Sequence, residues 1–179
     1  MYKWEDRTQK ECLEAVKKNG LSLQYVREQD KDICMEAVKQ SGYALQYVKE
    51  QDKEICLAAV RQTGHALRYV KEQDREICLE AVKQDGYALQ YVDNQDREIC
   101  LEAIKENCWA LQYVKKQDKE MCLEAVRKEG YVLEYVEDFY IELLELDSLY
   151  MEAYKEYFKD KINEDTIILN GIRYKKVEE

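Results

Sequence analysis

Apolar residues recur in this chain in two clusters that return every 22 residues. In the stretch from Lys31 to Asp52 the first cluster is Ile33, Cys34, Ala37 and Val38, spaced i, i+1, i+4 and i+5. The second is Ala44, Leu45 and Val48. Each spacing gathers its apolar residues on one stripe of a helix. The same columns return in copies that begin at Gln9, Lys31, Lys53, Arg75, Arg97 and Lys119. Self-similarity at such a period predicts a repeat architecture.

Two further columns punctuate the unit. Asp30, Asp52, Asp74, Asp96 and Asp118 each precede a helix-forming run, which predicts N-caps. Gly20, Gly42, Gly64, Gly86 and Gly130 share a column that predicts a helix end with positive φ. The unit therefore reads as two helices, the first over roughly positions 1 to 10 and the second over roughly positions 13 to 20. Helices of ~14 Å are marginal alone and persist by stacking. The expected fold is all-α: a right-handed solenoid of six 22-residue helix-turn-helix repeats over residues 9–140.

The ends differ from the middle. Trp4 occupies the column of Val26, so residues 1–8 are expected to cap the first repeat. Residues 141–179 are expected to hold a degenerate seventh helix around Met151–Lys155, then a short β-hairpin. Asn170-Gly171 between two apolar runs is a strong hairpin signal. The hairpin either caps the helices or pairs across a homodimer.

Composition narrows the function. The chain is 46 % hydrophobic and 37 % charged, with no proline and a net charge of −10. An acidic surface disfavours nucleic acid. No apolar run approaches the ~20 residues of a membrane span, and the N-terminal residues lack the apolar core of a signal peptide. The expected location is the cytoplasm.

Cysteine is the first candidate for chemistry. Cys12, Cys34, Cys56, Cys78, Cys100 and Cys122 lie in one column, and Cys108 replaces the glycine of the fifth copy. The 22-residue spacing fits neither a metal site nor a disulfide ladder, so the column reads as buried hydrophobe. Cys108 is expected to be exposed in its turn, through drift or as a reactive thiol. His65, the only histidine, reads as semi-exposed packing. Carboxylates alternating with lysines read as i, i+4 ion pairs on solvent faces. No catalytic residue, cofactor or metal is expected.

Two columns suggest a surface instead. Tyr25, Tyr47, Tyr69, Tyr91, Tyr113 and Tyr135 form an unbroken tyrosine column. The column after the glycine varies: Leu21, Tyr43, His65, Tyr87, Trp109 and Tyr131. Beside them run Gln24, Gln46, Arg68, Gln90, Gln112 and Glu134. The tyrosines and glutamines either pack and bond between repeats or present a binding face. Candidate partner-binding residues are Tyr43, His65, Tyr87, Trp109, Tyr131, Gln46, Arg68, Gln90 and Gln112.

The string C-L-E-A-V-K-Q-x-G-Y-A-L-Q-Y-V, as in Cys78 to Val92, resembles the helical repeats of domain of unknown function 4116. That family occurs in giant DNA viruses and in some bacteria and their phages. The resemblance implies a repeat scaffold and carries over no catalytic residue. The expected function is a non-enzymatic protein-interaction scaffold. The alternatives are a virus- or phage-encoded inhibitor of a host defence protein, or a small-molecule site or enzyme at the aromatic C-terminal region.

Overall fold

Each unit opens on an α-helix whose first turn is closed by a side chain. A computed structural model describes residues 7–136, 166–169 and 172–175. The α-helices are α1 (Gln9–Lys18), α2 (Lys31–Gln40), α3 (Lys53–Gln62), α4 (Arg75–Gln84), α5 (Arg97–Glu106) and α6 (Lys119–Lys128). Thr8 and Glu11 form a capping box on α1. In α2 to α5 the Oδ1 of Asp30, Asp52, Asp74 or Asp96 accepts from the isoleucine N–H three residues on, at 2.8 to 2.9 Å. Asp118 does the same for Met121 in α6 at 2.9 Å.

The second helix differs from the expected one. It is a six-residue 3-10 helix that starts on the glycine, as in Gly42–Tyr47 and Gly64–Tyr69, not an α-helix beginning after it. An extended residue precedes it and an extended valine follows: Ser41 has φ −152° and Val48 ψ 118°. Six residues at the 3-10 rise of ~2.0 Å return across ~12 Å, close to the ~15 Å of the ten-residue α-helix. The tighter winding lets a short segment span the same layer.

The glycine also has another role than the one expected. None of Gly20, Gly42, Gly64 and Gly86 has a positive φ. A Cβ at these positions would lie 2.3 to 2.6 Å from the backbone carbonyl oxygen of Ala37, Ala59, Ala81 or Ala103 in the next unit. The column exists for close approach between units.

The core runs the length of the array. Ile33, Cys34, Ala37 and Val38 of α2 and Ala44, Leu45 and Val48 behind it are buried, and the third, fourth and fifth units repeat the set. Each α-helix packs on the next α-helix and each 3-10 helix on the next 3-10 helix. The result is an all-α repeat array. Beyond it, β1 (Thr166–Leu169) pairs antiparallel with β2 (Ile172–Lys175), with Leu169 opposite Ile172. Trp4, the seventh helix and the aromatic residues of the C-terminal region lie outside the described residues, as does the role of the strands as cap or dimer contact.

Candidate interaction surface

Three polar ladders bind unit to unit. In the first, Gln29, Gln51, Gln73 and Gln95 each donate Nε2–H to the carbonyl of a tyrosine in the next unit, at 2.8 to 2.9 Å. Their Oε1 atoms accept from the backbone N–H of Lys49, Lys71, Asp93 and Lys115 at 2.9 to 3.1 Å. In the second, the Gly20 and Gly42 N–H groups donate to Oε1 of Gln40 and Gln62 at 2.6 and 2.5 Å, and Gly64 donates to Gln84. The third is ionic. Lys53 lies 2.8 Å from Asp74 and 2.7 Å from Glu76, and Arg75 lies 2.8 Å from Asp96 and also meets Glu98. These pairs cross between units instead of running i, i+4 along one helix as expected. Lys105 with Glu102 does pair within a helix, three residues apart.

The ladders perturb the groups they use. The Ile99 N–H, then the Arg75 guanidinium, holds the Asp96 carboxyl below the usual range. For Asp74 the Lys53 ammonium comes first and the Ile77 N–H second.

A groove follows the edge where the glutamine–tyrosine and ionic ladders lie. One part of it, about 740 Å³, is lined by residues including Asp74, Arg75, Cys78, Asp96 and Cys100. Burial pushes the thiols of Cys34, Cys56, Cys78 and Cys100 up to about 11. Such thiols stay protonated at neutral pH and are poor nucleophiles. All seven cysteines are free and buried. Cys108 is among them at 9 % exposure, against the expectation of an exposed turn residue, because the glycine column faces the next unit. Among the described residues no His, Cys, Asp and Glu gather into a metal-holding group, and no helix is long and apolar enough to cross a membrane.

The nine candidate residues fall on a different face, that of the 3-10 helices. Here the structure joins two columns that the sequence presents separately. Tyr43 meets Tyr69 edge-to-face at 6.4 Å, His65 meets Tyr91 at 5.5 Å, Tyr87 meets Tyr113 at 6.1 Å and Trp109 meets Tyr135 at 5.9 Å. From the second unit to the fifth, the variable residue thus rests on the tyrosine of the next unit, and the two columns form one aromatic stripe. Tyr47 belongs to the same column and is half-buried. Tyr43 is 41 % exposed and Tyr131 53 %.

Polar groups alternate with the rings. Gln46, Gln90 and Gln112 are exposed and donate Nε2–H to the carbonyls of Tyr43, Tyr87 and Trp109 at 2.9 to 3.0 Å. They tie down their own turn and do not bridge units. Arg68 replaces glutamine in the third unit, and its guanidinium lies 5.0 Å from the Tyr69 ring and 5.8 Å from the Tyr91 ring. His65 Nδ1 lies 2.8 Å from Asp85 Oδ2.

These features define an all-α repeat protein with one aromatic face. The chain belongs to the family described as a domain of unknown function (DUF4116), whose model matches residues 12–51, 30–73, 52–95 and 96–143. No curated protein and no solved structure matches the chain.

Proposed function

We propose that this protein is a non-enzymatic interaction scaffold: a right-handed solenoid whose 3-10 face receives a protein partner in the cytoplasm. The aromatic stripe supports this reading. It supplies large, stiff, amphipathic side chains at regular intervals, the composition enriched at protein interfaces. Seven free cysteines suit a reducing compartment.

The test is affinity capture from the native host with wild type and with Tyr43→Ala/Tyr87→Ala as paired baits. A partner recovered by wild type and lost by the variant, at unchanged helicity, is the expected result. Identical recoveries with both baits refute the assignment of the surface.

A further inference from the structure

We infer that Arg68, held against Tyr69 and Tyr91, is the anchor of the 3-10 face and takes the carboxylate of an aspartate or glutamate side chain on the partner. This rests on the scaffold reading and names the chemistry the partner brings. In the first, second, fourth and fifth units the same column holds glutamine. There Nε2–H closes its own turn on the carbonyl three residues back, at 2.9 to 3.1 Å. Arg68 makes no such bond to the His65 carbonyl. Its guanidinium stands 5.0 Å from the Tyr69 ring of its own unit and 5.8 Å from the Tyr91 ring of the next. The third unit thus forgoes a bond that the others keep, and gains a cation tied to two rings.

That cation is exposed and uncompensated. Among the described residues no carboxylate pairs with Arg68, whereas Arg61, Arg75 and Arg97 all meet one. Asp85, the acid that stands against His65, is already committed. Its Oδ2 lies 2.8 Å from His65 Nδ1, and its Oδ1 accepts from the Tyr87 N–H at 2.9 Å. A guanidinium is always charged and carries five N–H donors. Ring contacts restrain the long side chain beforehand, so less rotamer freedom is lost when a partner docks.

The charge selects the occupant. The planar fork of a guanidinium matches the two oxygens of a carboxylate. Phosphorylated motifs are read by clusters of arginines, and a nucleic acid needs a row of cations. Arg68 is the only lysine or arginine in the three columns of this face. The net charge of −10 repels an acidic partner from afar, but physiological salt screens that field over ~8 Å, and the contact decides at close range. Binding energy concentrates in arginine and tyrosine near the middle of an interface, and Arg68 stands in the third of six units.

The test selects a displayed library of random peptides on the full-length chain and on Arg68→Gln. The peptides are joined to their carrier at the C-terminus, so they offer side-chain carboxylates alone. Arg68→Gln installs the residue that the same column holds in four other units, which guards against a folding defect. Aspartate or glutamate should be enriched on wild type and not on Arg68→Gln. One selected peptide is then measured by fluorescence anisotropy. Arg68→Gln should weaken it at least about tenfold, and so should changing its acid to the amide. The two losses should not add, because they remove one contact. Arg68→Lys, which keeps the charge without the fork, should recover part of the affinity. Selection that yields no binding peptide, equal acid enrichment on both proteins, or additive losses overturns the inference. If native capture depends on Tyr43 and Tyr87 while selection shows no acid preference, the surface reading stands and the partner chemistry is wrong. If both fail, both readings are wrong.

Discussion

Gly64→Ala tests the reason for the glycine column. The added Cβ would lie 2.6 Å from the Ala81 carbonyl oxygen, 2.9 Å from Gln84 Oε1 and 3.0 Å from Asp85 Cβ. Ordinary contact begins near 3.4 Å, so α3 and α4 with their short helices must part by about 0.8 Å. The obstacle is backbone, and a side-chain rotation cannot relieve it. Overpacking of this kind costs ~1–3 kcal/mol. Separation also stretches the Gly64 N–H bond to Gln84, a bond of net worth ~1 kcal/mol. Alanine restricts the unfolded chain and returns ~0.4–1 kcal/mol, because this glycine has no positive φ to protect. The net expectation is a loss of roughly 1–3 kcal/mol.

Gly64→Asn separates this account from a left-handed helix cap. At a left-handed position asparagine is the better tolerated of the two. At a close-approach position it is the worse, because its side chain is larger. Urea denaturation followed by far-UV circular dichroism gives the global loss. Amide exchange in α4 locates it, since repeat arrays need not unfold in two states. Gly64→Ala within ~0.5 kcal/mol of wild type, or Gly64→Asn at least as stable as Gly64→Ala, refutes the reasoning.

Three other perturbations probe the ladders. The sixth unit packs more sparsely on the fifth than the others do on their neighbours, and there Cys108 replaces glycine while Lys128 replaces the stapling glutamine. Cys108→Gly/Lys128→Gln should slow amide exchange in α6 by roughly tenfold, about the worth of one hydrogen bond; unchanged exchange counts against it. Asp96 has a depressed folded pKa, so its contribution is present above the unfolded value near ~3.9 and fades as pH falls through the folded value. Asp96→Asn keeps an N-cap but does not titrate; its Tm deficit at neutral pH should shrink toward about pH 2, and a constant deficit contradicts the account. Gln73→Ala strips the Tyr91 carbonyl and the Asp93 N–H of partners at 2.8 and 3.1 Å and should lower stability by ~2–3 kcal/mol. A urea midpoint within error of wild type would show that water replaces both bonds freely.

The features legible in the sequence were the ones fixed by neighbours along the chain. The aspartate N-caps and the Ile-Cys-Ala-Val stripe depend on residues a turn apart, and periodicity reports them. The glycine misled because a cap and a close approach demand the same residue, and the sequence carries no φ. The second helix misled because six residues suit one and a half α-turns or two 3-10 turns; the distance to be recrossed decides. Lys53 can pair within its own helix or with Asp74 and Glu76 of the next unit, and only the stacking distance selects between them. The stripe was half legible. The variable column and the tyrosine column stood out separately, but the contact of Tyr43 with Tyr69 lies between units and leaves no local pattern.

The internal copies allow one more step, because each column has been filled several times under the same geometry. The glutamine that bridges units is glutamine at 29, 51, 73, 95 and 117, and its Nε2 reaches the next unit's tyrosine carbonyl every time. The position after the glycine makes no polar bridge in most units, yet its variation is not free. From Tyr43 to Tyr131 every occupant is a ring, and Leu21 of the first unit is the exception. Packing alone would admit leucine or methionine against the next tyrosine. Retention of a ring while its polarity changes, from tyrosine to imidazole to indole, fits a face that keeps its aromatic spacing and varies its hydrogen-bonding edge. Under the proposed scaffold reading, Tyr43, His65, Tyr87 and Trp109 are the positions at which one unit would differ from the next to a partner.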